Sequence, residues 1–60
     1  MNREMVYRFW IADYDNTAVI LSPRVATAEA IARIERARPI KVTAEEVEEF
    51  RVDGDGFLVA

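Results

Sequence analysis

Carboxylates are nearly the only reactive side chains in this chain. Its 60 residues include 11 Asp and Glu, with no histidine and no cysteine. Glu45, Glu46, Glu48 and Glu49 stand almost side by side, and Asp53 and Asp55 follow. Between Pro39 and Ala60 only Lys41 and Arg51 oppose them, so the last third is strongly acidic. Without His or Cys, the commonest acid–base and thiol-nucleophile chemistry is missing, which argues against an enzyme. The soft ligands of structural zinc are missing as well. Dense carboxylates can do two other things. They can hold a hard cation in a loop, or dock on arginines and lysines by charge complementarity.

Two short motifs test the cation reading. Asp13-Tyr14-Asp15-Asn16-Thr17 follows an apolar run and resembles the first motif of haloacid-dehalogenase-type phosphatases. The resemblance implies a nucleophilic Asp13, an acid/base Asp15 and magnesium held between them, with Thr17 alongside. The family's usual Gly after the second Asp is Asn16 here, and Lys41 is the only lysine. That family also needs a doubly wound domain several times this length. The same residues are turn formers, so the segment reads as a hairpin turn. Asp53-Gly54-Asp55-Gly56 resembles the opening of a calcium loop of EF-hand type. Such a loop needs an oxygen ligand at its fifth position, where this chain has Phe57. A Gly-Asp-Gly turn is the reading kept, and neither a metal nor a cofactor is expected.

The elements that would position these residues follow from periodicity. Val6 to Asp13 is dense in β-branched and aromatic residues and reads as a strand. Alternation puts Tyr7, Phe9 and Ile11 on one face, and Val6, Arg8, Trp10 and Ala12 on the other. Thr17 to Leu21 reads as its hairpin partner. Thr27 is a helix N-cap, and Ala30, Ile31, Ile34 and Ala37 form the inward stripe of a helix running to about Arg38, where Pro39 stops it. Thr43 and Glu46 form a capping box for a second, short helix, with Val42 and Val47 as its hydrophobic staple and Val47 and Phe50 facing inward. The segment from Arg51 returns to an extended conformation. The expectation is one α+β domain over residues 1–60, in ββααβ order, with a small antiparallel sheet and two helices packed on one face.

So small a domain buries only about 60% of the surface its unfolded chain exposes. With 52% hydrophobic residues and no disulfide, self-association or an obligate partner is expected. Arg8 and Trp10, types enriched in binding hot spots, are the candidate interface on the sheet face the helices leave uncovered. No apolar stretch approaches the roughly 20 residues that span a bilayer. The absence of cysteine fits a cytoplasmic setting.

The functional reading is a small acidic protein-binding module with Glu45, Glu46, Glu48, Glu49, Asp53 and Asp55 as its contact residues. It would act as an inhibitor that occupies a basic, nucleic-acid-binding surface of a larger protein, as phage-encoded counter-defence proteins do. The first alternative is a homo-oligomeric accessory domain whose acidic face only keeps it soluble. The second is a nucleic-acid binder using the Arg33, Arg36 and Arg38 side. Four glutamates on its would-be recognition helix argue against direct nucleic-acid binding, since duplex DNA carries about one negative charge per 1.7 Å.

Overall fold

A computed structural model describes residues 2–13, 15 and 18–59. One extended stretch, residues 3–12, is the spine of the molecule. It forms β1 (Arg3–Val6) and β2 (Phe9–Ala12), and every other strand pairs with one of the two. β3 (Val19–Leu21) returns antiparallel on one side of β2, with Trp10 opposite Leu21 and Ala12 opposite Val19. β4 (Ala37–Pro39) lies on the other side of β2, with Trp10 opposite Arg38. β5 (Glu45–Glu48) pairs antiparallel with β1, from Arg3 opposite Glu48 to Val6 opposite Glu45. The result is drawn out, 42 × 22 × 17 Å, with two antiparallel sheets joined end to end by the spine.

The expected ββααβ order with two helices on one face is therefore wrong. Among the described residues there are five strands, one short helix and two 3-10 turns, so the fold is mainly β. The helix, α1 (Ala28–Ala32), begins as expected: the Thr27 side chain accepts the Ala30 N–H at 3.2 Å. It does not reach Arg38. Arg33 and Ile34 donate to carbonyls three residues back, which tightens the last turn, and Arg36 then takes a left-handed backbone with φ 67°. The physical reason lies in the spine. The Ala12 N–H donates to the Arg36 carbonyl at 3.0 Å, and the Arg8 carbonyl accepts the Ile40 N–H at 2.8 Å. A helix running to Arg38 would leave those spine groups without partners. Pro39 does not stop a helix; it sits in an edge strand, where its missing N–H is harmless.

The second expected helix is β5. Its sequence suits an isolated helix, but a single short helix is marginal in water, and β1 offers a full ladder. Thr43 lies in a 3-10 turn, Lys41–Thr43, instead of at an N-cap. No staple forms, because Val47 is 2% exposed and Val42 is 89% exposed. Phe50, expected inside, is 79% exposed in the following 3-10 turn, Glu49–Arg51.

The core is Phe9, Ala26, Ala30 and Ile31, with Tyr7, Ile11, Ile34, Ala37 and Phe57 packed around it. The stripe expected of a long helix still points inward, carried partly by α1 and partly by β4. Val6 and Phe9 are both buried although their positions differ in parity. Tyr7 and Arg8, between the two strands, let the spine change its inward face. The tail closes the structure: Ala26 bridges Tyr7 on one side and Phe57 on the other, and Val52 pairs with Leu58. Among the described residues, no helix is long and apolar enough to cross a membrane.

Candidate functional site

The β1–β5 arm turns the glutamate cluster into an edge strand. Alternation sends Glu46 and Glu48 to one face of the arm and Glu45 to the other, beside Val47. Val6 opposite Glu45, and Val47 opposite Glu4, put two buried valines diagonally across the ladder on that second face. Their burial anchors the arm and leaves the carboxylates outside. Glu45, Glu46 and Glu49 are exposed, and Glu48 is half-buried.

Arginines temper part of this charge. Arg3 reaches Glu46 at 3.7 Å across the strand pair, and Arg51 reaches Glu48 at 4.0 Å. Exposed pairs of this kind contribute little to stability, about 0–1 kcal/mol each. Among the described residues, Glu45 and Glu49 have no cation within 4.0 Å. The arm thus presents an acidic row at a sheet edge, with same-face carboxylates roughly 6–7 Å apart by strand geometry.

Asp53 and Asp55 form a separate group. One oxygen of Asp53 accepts the N–H groups of Asp55 and Phe57, both at 2.9 Å, and so shapes the turn it begins. Arg24 lies 4.0 Å from the other oxygen, with its guanidinium 4.2 Å from the Phe57 ring centroid. The Phe57 N–H above all, then the Asp55 N–H and Arg24, hold the Asp53 carboxyl below its ordinary pKa against an opposing effect of burial. Asp53 is therefore a turn organiser, although it is exposed, as Asp55 is. Gly56 ends the turn at φ 90°, and its carbonyl accepts the Thr27 N–H at 2.9 Å.

An open cleft lies between this turn and α1, lined by Glu4, Glu29, Arg33, Asp53 and Asp55. Glu4 and Glu29 were not among the expected contact residues. They are isolated in sequence, and only the fold brings them beside the Asp53 turn. Among the described residues, no three Asp or Glu side chains converge to hold a metal ion.

The Asp13 motif lies at the connection between β2 and β3. The Asp13 N–H donates to the Ala18 carbonyl at 2.7 Å, Asp15 is exposed, and Tyr14, Asn16 and Thr17 are outside the described residues. Among the described residues the sheets are antiparallel, with no doubly wound parallel sheet around the motif.

Trp10 sits on the open face of the β3-β2-β4 sheet, opposite the core residues Phe9 and Ile11, and Arg8 is exposed in the link between β1 and β2. Trp10 is 42% exposed between Leu21 and Arg38 on the neighbouring strands. Of the arginines proposed for nucleic acid, only Arg38 shares this face; Arg33 caps α1 and Arg36 forms the turn after it. A helix-turn-helix arrangement is absent among the described residues, which hold a single helix. No family model matches the chain, and no curated protein or solved structure is significantly similar to it.

Proposed function

We propose that this chain is a non-enzymatic protein-binding module that docks its β1–β5 arm on a basic surface of another protein. One observation carries the reading: Glu45, Glu46, Glu48 and Glu49 run along an edge strand and the turn after it, mostly exposed and only partly matched by arginine. An extended strand displays carboxylates in a regular row that a surface of arginines and lysines can match, gaining association rate and register. A surface that normally holds nucleic-acid phosphates is such a target, so the module would act as an inhibitor in the cytoplasm. Asp55 extends the acidic surface, while Asp53 serves mainly to hold its own turn.

The test is capture from lysate by the immobilised chain, compared with a Glu45→Gln/Glu46→Gln/Glu48→Gln/Glu49→Gln variant. A protein bound by the wild type, released at about 0.5 M salt and not bound by the variant supports the proposal. A protein bound equally by both rejects it.

A further inference from the structure

The sheet edges of this molecule are unequally protected. β5 carries Glu45, Glu46 and Glu48, β4 carries Arg38 and Pro39, and β1 carries Arg3 and Glu4. Charges and proline are the usual guards against edge-to-edge pairing. β3 has neither: it reads Val19-Ile20-Leu21, all three are exposed, and Ile20 is 63% so.

The hydrogen-bond register shows which backbone groups β3 leaves open. Asp13 donates to Ala18 and Ser22 donates to Phe9, so positions 18, 20 and 22 turn their N–H and C=O toward β2. Val19 and Leu21 therefore aim theirs outward. We infer that β3 is the seam of a two-fold dimer, paired antiparallel with β3 of a second copy and centred on Ile20. The inference is independent of the proposed docking by the acidic arm.

This register uses both outward-facing residues of the edge. Centred on Ile20, Val19 of each copy meets Leu21 of the other, and both exchange N–H and C=O, giving four main-chain bonds. Centring on Leu21 would set Val19 opposite Pro23, which has no N–H to give. The side chains agree with the pairing. On the open face, Trp10 beside Leu21 continues through the partner's Val19 into one apolar stripe across the axis. On the other face, Ile11 and Ile20 continue into their own counterparts. The strand itself is uncharged, with Asp13 and Asp15 before it and Arg24 after it. Antiparallel pairing brings those unlike ends together, whereas parallel pairing would align like with like. β5 lies across the spine from β3, so its glutamates stay clear of the seam.

The experiment combines sedimentation with amide hydrogen exchange on the full chain, up to about 1 mM. The wild type is expected at twice the monomer mass, with the Val19 and Leu21 amides protected. Ile20→Lys sets two like charges face to face at the axis and is expected to halve the mass. It should also expose those two amides while leaving that of Ile20, bonded within the sheet, protected. If Ile20→Lys does not fold, the wild-type exchange pattern decides alone. A wild-type monomer at the highest concentration overturns the inference, as does a dimer whose Val19 and Leu21 amides exchange freely.

Discussion

The Thr43 hydroxyl oxygen accepts the Arg8 N–H at 2.9 Å and donates to the Ile40 carbonyl at 2.6 Å. These two bonds hold the point where the molecule passes from one sheet to the other. The strand pairing with the spine shifts register between Ile40 and Glu45, and the Lys41–Thr43 turn takes up the extra residues. A side chain thus supplies the partner that the ladder cannot. Thr43→Val removes both bonds at nearly constant shape and should lower stability by about 1–2 kcal/mol. Thr43→Ser should recover most of that in urea unfolding.

Val47 and Phe50 separate the strand from a helix. An amphipathic helix after Thr43 would bury both, whereas here Val47 is inside and Phe50 outside. Val47→Ala is expected to cost roughly 2 kcal/mol. Phe50→Ser should stay within about 0.5 kcal/mol of wild type. Equal losses at the two positions would contradict the strand.

Gly56 and Gly54 make a matched pair. A Cβ at Gly56 would lie 2.7 Å from the Ala30 Cβ and 2.8 Å from the Thr27 Oγ1, at a φ of 90° that L-residues rarely adopt. Ala30 is held in α1 and has no longer side chain to swing aside. Gly56→Ala should therefore cost roughly 2–4 kcal/mol from strain and overpacking. Nothing stands within 4 Å of a Cβ at Gly54, and Gly54→Ala should be close to neutral.

Asp53 predicts an acid limb in the stability profile. Its folded pKa lies below the ordinary carboxylate value, because its charged form accepts the Phe57 and Asp55 N–H groups beside Arg24. The stability it contributes is fully present above the unfolded pKa, about 3.9. It is lost as pH falls through the lower folded value. Asp53→Asn can keep the turn bonds through its carbonyl and should flatten this part of the curve below about pH 4. Thermal unfolding across the acid range measures the difference.

Parts of this arrangement were legible in the residues, for physical reasons. Of the strand expected over Val6–Asp13, the β-formers Phe9 to Ala12 do form one, while Val6 closes the preceding strand; Thr27 had its capping hydroxyl, and the inward stripe of Ala30, Ile31, Ile34 and Ala37 kept its direction. The segments after Ile34 and Thr43 misled because their local signals are helical. Local capping is worth about 1 kcal/mol, whereas an unpaired spine leaves several backbone groups without partners. Non-local pairing decided both segments, and a sequence pattern carries no direct sign of it. The acidic cluster was visible as composition, but its placement on an edge strand depended on β1. The contrast between Val19-Ile20-Leu21 and the guarded edges became readable only once the ladder showed which backbone groups point outward.

The most direct test of the proposed function is chemical-shift mapping on the ¹⁵N-labelled chain, titrated with the captured partner. The acidic-arm reading predicts that the amides of Glu45 to Glu49 shift or broaden, together with the Arg3 and Arg51 side chains that face them. It also predicts that the effect disappears at high salt. Perturbation centred on Val19 to Leu21, with the glutamate segment unmoved, would contradict it and make the β3 edge the binding surface.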